Sequence, residues 1–250
     1  MKSRTIETLD LRTVRDPHLL ARFYRLYVSA FPIERERERL QVWESLLWGQ
    51  DAGPPRPKFH LLVVGRFLKH RRQLELYAGL TLEFYRESQC GLIAYLAVRP
   101  QYRRQGLARL LINKAFDIFE EDSSEIRSSL RAVFAETHDP RLVKGEEDSV
   151  PPIQRLMILD RLGARWIKVP YVEPEVNPGH GRTRNMILLT FPLPDQSRDF
   201  ISARVVRDFI HEFYRAHGVT HPDADPDVEM MDAHLLVGTM PLQTLQELVT

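Results

Sequence analysis

The chain has 250 residues, 43% hydrophobic and 28% charged, enough for one or two domains with a sizeable core. Lys and Arg number 35 against 34 Asp and Glu, so the strong basic excess of a nucleic-acid binder is missing. The single cysteine, Cys90, excludes an internal disulfide and any site of several thiolates; no apolar run is long enough to span a membrane, and the N-terminus lacks a signal peptide's apolar core, so a cytoplasmic location is expected.

TIETLDLRTV alternates apolar and polar residues and reads as a strand ending before Asp16-Pro17. PHLLARFYRLYVSAF carries Leu19, Leu20, Phe23, Leu26, Tyr27 and Phe31 at helical spacing, with Pro17 suited to the first turn. A second helix is expected across ERERERLQVWESLLWG, ending near Gly49, and DAGPPRPK is a loop by composition. FHLLVVGRF and LELYAGLTLEFY read as antiparallel strands joined by the basic turn LKHRRQ. GLIAYLAV is a third strand whose weak alternation predicts cover on both faces.

A helix follows from about Gly106 to Glu121, with Leu107, Leu110, Leu111, Ala115, Ile118 and Phe119 as its apolar stripe. LRAVFAE is a buried strand, THDPRLVKGEEDSVPP a polar loop, and IQRLMILDRLGA a helix stopping at Gly163. RWIKVPYV and RNMILLTF are expected strands separated by EPEVNPGHG. The order is that of a mixed α/β sheet flanked by helices. Residues 1–194 are read as this domain. Residues 195–250 form a C-terminal helical extension, led by an amphipathic helix in RDFISARVVRDFIHEFYRAHG with Phe200, Val205, Phe209, Ile210 and Phe213 near one face.

The densest chemistry lies in AVRPQYRRQGLARLL, where a strand ends and a helix begins. A helix opening near Gly106 leaves its first N–H groups unpaired at the positive end of its dipole. Gly106 lets a ligand approach the backbone, and Arg103, Arg104 and Arg109 add charge, so the junction suits a phosphate. The dipole contributes only about 0.3–1 kcal/mol, so several N–H bonds and an arginine must share the binding. A solvated tight turn is the plain alternative. A dinucleotide fingerprint is excluded because Gly106 stands alone, and a Walker loop because no Gly-Lys-Ser or Gly-Lys-Thr occurs.

Arg103-x-x-Gly106-x-Ala108, directly after the strand that ends at Val98, resembles the acyl-coenzyme A signature of the GNAT N-acetyltransferase superfamily. The element order extends the resemblance over about residues 5 to 191, with ILDRLGAR similar to the family's helix ending in Leu-Gly. The resemblance implies the GNAT fold and acetyl-coenzyme A as co-substrate, with no metal. It implies that the backbone around Gln105, Gly106, Leu107, Ala108 and Arg109 binds the pyrophosphate, with Arg103 and Arg104 beside it. Backbone groups of Leu96, Ala97 and Val98 would pair with the pantetheine arm where the fourth and fifth strands splay.

Amine acylation needs a neutral nucleophile, and a lysine-type amine is about 4.6 kcal/mol from neutrality at pH 7. Many family members place a glutamate in the fourth strand, where this chain has Ala94 and Tyr95, and a tyrosine where it has Leu159. Glu136, closing the fifth strand, is the candidate base, and Tyr171, in VPYVEP, the candidate acid. His138 and Asp139 beside Glu136 read as turn residues, Tyr95 as core, and Glu83 as an exposed strand residue ranked below Glu136. Glu34 or Glu36 could recruit a cationic acceptor. His211 and His217, about 240° apart around a helix, cannot share a metal and are expected at the surface. Cys90 lies at the wrong strand end for a nucleophile, so direct attack on the thioester is expected. The partner is then a small-molecule or peptide amine, without nucleic acid or membrane, and a homodimer is one option. The competing reading is a non-catalytic acyl-coenzyme A sensor whose tail binds a partner.

Overall fold

In a computed structural model of the chain, residues 6–50, 55–66, 68, 73–143, 149–177, 179–236 and 238–248 are described. The turn expected at LKHRRQ and the start of DAGPPRPK lie largely outside them. The first strand, β1 (Glu7–Asp10), leads into helix α1 (Pro17–Ala30). Asp16 caps α1 by accepting from the N–H groups of His18 and Leu19 at 2.9 and 3.1 Å, which satisfies two of its orphan donors. Leu19, Leu20, Phe23 and Tyr27 are fully buried along one face, each contributing about 1.5–3 kcal/mol of transfer free energy.

The expected second helix is shorter than its charge pattern suggests. Glu34–Glu36 form one 3-10 turn, Arg37 and Arg39 are extended, and helix α2 is confined to Leu40–Trp48. Tertiary contacts hold the chain open here. The Tyr27 hydroxyl accepts from the Glu38 N–H at 2.8 Å, and the Asn177 amide donates to the carbonyls of Arg35 and Arg37 at 3.3 and 2.5 Å.

Strands β2 (Lys58–Arg66), β3 (Glu75–Tyr85) and β4 (Cys90–Val98) form an antiparallel meander, followed by helix α3 (Leu107–Glu125) and β5 (Ala132–His138). Helix α4 (Pro152–Leu162) stops at Gly163, whose φ of +108° is a left-handed cap. Then come β6 (Arg165–Ile167) and β7 (Met186–Phe191). The strand expected over RWIKVPYV therefore ends at Ile167. The C-terminal segment is not helical alone. Besides α5 (Ala203–Ala216) and α6 (Pro226–Asp232), it contributes β8 (Phe200–Ser202) and β9 (Thr239–Gln243). Phe200, expected on the helix face, lies in β8 and is exposed.

The sheet order is β1-β2-β3-β4-β5-β7-β6-β9-β8. One face packs on α3 and α4 through Leu80, Leu82, Ile93, Leu111 and Phe119. The other is covered by α1 and α2 at one end and by α5 at the other. Side-chain alternation assigns each residue to a face. Glu83 and Tyr85 on β3 and Phe134, Glu136 and His138 on β5 all fall on the α1/α5 face.

Two features open the middle of the sheet. β4 and β5 run parallel and pair only from Cys90↔Ala132 to Ile93↔Ala135. Beyond that they part. β4 also carries a bulge against β3, because Thr81 pairs with Tyr95 but Leu82 pairs with Ile93, leaving Ala94 unmatched. The Tyr95 N–H uses the Thr81 Oγ1 at 3.0 Å. A bulge bends its strand, and this one sits where β4 leaves its neighbour.

Candidate active site

A cleft of about 800 Å³ passes through the sheet where β4 and β5 part. Its walls include Leu107, Ile112 and Leu159 from the α3/α4 face and Glu83, Glu136 and Phe213 from the α1/α5 face. At one end stands the start of α3. Gly106 occupies the N-cap with φ +77°, and no side chain caps the helix. The first helical bond there is from the Leu110 N–H to the Gly106 carbonyl at 2.9 Å, so the N–H groups of Leu107, Ala108 and Arg109 point out unpaired. A Cβ built on Gly106 meets nothing within 4 Å, so the space over this backbone is open. The uncapped amides, the dipole and the nearby guanidinium groups suit a pyrophosphate.

Of the residues expected at this end, Arg103, Arg104, Gly106, Leu107, Ala108 and Arg109 line the cleft, while Gln105 does not. Arg103 Nε donates to the Val98 carbonyl at 3.3 Å, which holds the turn against the end of β4. The Arg109 guanidinium donates to the Leu162 carbonyl at 3.2 Å and to that of Arg161, tying α3 to the end of α4. Leu96, Ala97 and Val98 lie on the wall in the unpaired stretch of β4. Their backbone groups facing β5 therefore have no strand partner. An extended arm could pair with them as an added strand.

The other end is acidic. Glu36, Glu38, Glu83, Glu136 and Glu173 all line it. Glu136 accepts a hydrogen bond from the Tyr171 hydroxyl, so the two residues singled out in the sequence are bonded to each other. Tyr171 is only 4% exposed and is not on the wall; it stands behind Glu136. Tyr85 makes the matching contact with Glu83 at 2.5 Å. Glu83 is thus not an exposed strand residue but part of the cleft. His138 is buried and its Nε2 lies 2.8 Å from Glu36 Oε2, while Asp139 holds the Arg141 guanidinium, so neither is a plain turn residue. Glu34 is exposed and off the wall.

Burial, with mutual repulsion second, raises four of these carboxylates. Burial, then the charges of Glu83 and Glu173, pushes Glu38 up to about 7. Burial raises Glu83 to about 7 against the Tyr85 hydrogen bond. Glu173 also rises to about 7, through burial and the charges of Glu36 and Glu83, opposed by Thr183 and His138. Glu136 is held well above the usual carboxylate range, by burial first and by Glu173 and Glu83 next, with the Tyr171 hydroxyl pulling it down. Carboxylates near 7, as at Glu38, Glu83 and Glu173, suit proton exchange at neutral pH.

Glu38 and Glu173 were not singled out in the sequence. Glu173 follows Tyr171 by two residues, and the period of an extended chain would have placed them on one side. Leu159 lines the cleft and offers no proton. Tyr95 also reaches the wall, its hydroxyl donating to the Glu36 carbonyl at 3.0 Å and its ring packing on Tyr27 at 4.8 Å. His217, expected at the surface, is half-buried against Phe213 and lines the cleft, and burial lowers its pKa. His211 is half-buried too, with Nε2 2.8 Å from Asp232. Cys90 is buried, its thiol pushed up to about 12.

The C-terminal segment holds the acidic end in place. Tyr214 on α5 donates to the Val172 carbonyl at 2.7 Å. Arg182 is bound by Asp225 and Asp227, at 2.5 and 2.6 Å, and lies over the Tyr214 ring at 5.2 Å. These bonds fix both sides of the segment that carries Glu173.

A parted β4–β5 pair, an uncapped glycine turn opening α3 and a through-sheet cleft together define an acyl-coenzyme A transferase fold. Residues 20–140 match the family model described as the acetyltransferase (GNAT) family. A protein of Bacteroides thetaiotaomicron assigned to the GNAT acetyltransferases is similar over 86% of this chain and 97% of its own, at 16% identity and a TM-score of 0.51. NAA60 of Arabidopsis thaliana, solved with a bisubstrate analogue, is similar over 75% of this chain and 98% of its own, at 16% identity and a TM-score of 0.49. No curated protein matches the chain. Among the described residues no helix is long and apolar enough to cross a membrane.

Proposed function

We propose that the protein is an N-acyltransferase that moves an acetyl or related acyl group from coenzyme A to an amine by direct attack. One observation carries this reading. A single cleft joins the uncapped start of α3 to a wall of carboxylates through the gap between β4 and β5. The amides of Leu107 to Arg109, with Arg103 and Arg104, would hold the pyrophosphate. The free edge of Leu96, Ala97 and Val98 would align the pantetheine arm and leave the thioester beside Glu136.

In this reading the amine nitrogen bonds to the acyl carbon, the carbon–sulfur bond breaks, and Glu136 takes the proton that nitrogen gives up. Tyr171 was the expected acid. Its hydroxyl faces Glu136, so we assign it to holding the base and keeping its pKa from rising further. The thiolate proton then returns from the carboxylate cluster or from water. The chain from 195 onward acts as a splint for the acceptor side. Titration calorimetry with acetyl-coenzyme A tests donor binding, and a thiol-release screen against amines tests transfer. Glu136→Gln should cut turnover at neutral pH by about 10²-fold. Turnover within a few fold of wild type would remove Glu136 from the role. Binding without thiol release for any amine would favour the sensor reading.

A further inference from the structure

The cleft is electrically divided. Arg103, Arg104 and Arg109 stand at the α3 end, and five glutamates stand at the other. Basic side chains near those glutamates are few among the described residues. His138, Arg155 and the exposed Arg35 are engaged with Glu36, Arg39 acts on Glu38, and burial lowers the pKa of His217, so none of these is directed at Glu83 or Glu136. The glutamates come from four separate places: the 34–39 segment, β3, β5 and the stretch after β6. The charges of Glu83 and Glu173 act on both Glu38 and Glu136.

Glu173 gives the cluster a direction. It is 6% exposed and lines the cleft, and its Oε2 has no hydrogen-bond partner among the described residues. A buried carboxylate oxygen without a donor costs stability unless a ligand supplies one. No group of three or more acidic, His or Cys side chains among the described residues is arranged to hold a metal ion. The missing donor is therefore better matched by an ammonium group, which brings both a charge and N–H bonds. The whole cleft of about 800 Å³ falls in the range of small-molecule sites.

We propose that the acceptor is a small di- or polyamine, bound with one ammonium group on Glu173 and its neighbours while a second nitrogen, made neutral, faces the thioester. The inference deepens the transferase reading and rests on it for the reaction, though not for the binding. A monoamine leaves the Glu173 oxygen unpaired, and an amino acid brings a carboxylate against five others. A lysine-containing peptide would supply the same two charges, and titration separates it from a diamine.

The test is calorimetric titration of α,ω-diamines from 1,3-diaminopropane to 1,6-diaminohexane, of 1-aminobutane, of 4-aminobutanoate and of a short lysine-containing peptide. Each is titrated into the protein alone and into the protein saturated with coenzyme A. The best diamine should bind about 30-fold or more tighter than 1-aminobutane, as expected for one added buried charge pair, and 4-aminobutanoate should give no heat. Glu173→Gln should bring the diamine to within a few fold of the monoamine while leaving coenzyme A affinity unchanged, which shows that the variant is folded. Equal affinities across the series, a diamine preference that survives in Glu173→Gln, or preference for a lysine peptide over every diamine overturns the proposal. Absence of heat with coenzyme A would sink the transferase reading. The titrations into the protein alone would still decide the acceptor's charge.

Discussion

Replacing Glu173 with glutamine should make the protein more stable in alkaline solution. The side chain is 6% exposed and its carboxyl is pushed from the ordinary 4.5 to about 7. That difference corresponds to about 3 kcal/mol at full ionisation. Below about pH 4.5 the acid is protonated in both folded and unfolded chains, so it has no effect. Between 4.5 and 7 the folded state keeps a proton that the unfolded state has lost, and stability falls as pH rises. Above 7 the whole cost is present. Glutamine keeps the shape and removes the ionisation. Urea denaturation from pH 5 to pH 8.5 should show wild type losing about 2–3 kcal/mol more than Glu173→Gln across that span. Parallel pH profiles for the two proteins would show that Glu173 ionises freely and that the carboxylates do not crowd one another. Relief of Glu136 and Glu38 in the same variant can only enlarge the difference, because Glu173 raises both.

Gly106→Ala should cost about 1–2 kcal/mol in thermal unfolding, because φ +77° suits glycine, and should weaken acetyl-coenzyme A binding by calorimetry about tenfold or more as the methyl intrudes over the open backbone. Tyr171→Phe removes the hydroxyl that holds Glu136 down, so the acidic limb of its pH–rate profile should move to higher pH; an unmoved limb would separate Tyr171 from the base. Asp122→Asn should cost about 3 kcal/mol in urea at pH 6, since Asp122 is 3% exposed and binds both His60 Nε2 at 3.1 Å and Lys58 Nζ at 2.6 Å. Burial would lower the His60 pKa, but its bonds to Asp10 and Asp122 raise it. The stabilisation from His60 is complete below about 6.5 and is lost as pH climbs through the raised value, so the Asp122→Asn deficit should shrink at pH 9.

The donor side of the cleft could be read in the sequence because its parts are contiguous. The strand ending at Val98, the arginines and Gly106 fall within a dozen residues, and local geometry makes them one site. Glu136 was readable as part of a buried strand, although β5 runs two residues past it to His138. The acceptor side was not, since its glutamates come from segments far apart in the chain. Glu38 sat within a run of alternating charge that reads as a solvated helix. It faces the cleft only because Tyr27 and Asn177 hold that run extended. The tail was read as helical because α5 has a strong apolar stripe, while β8 and β9 are too short for alternation to show. Their pairing depends on an edge of β6 that the tail itself cannot reveal.

The stretch of β4 beyond Ile93 has a further consequence, for how the protein keeps. It is a strand edge exposed inside a folded sheet, and such edges template pairing with other chains. Most proteins blunt an edge with charge or proline, whereas residues 94–98 here are Ala-Tyr-Leu-Ala-Val. If the pantetheine arm is what pairs with this edge, the donor also acts as a removable guard. Protein held with coenzyme A at 100 times its dissociation constant would gain about 2.7 kcal/mol and lose its sticky edge together. Protein stripped of it should aggregate faster on storage, through a segment that no surface substitution can reach.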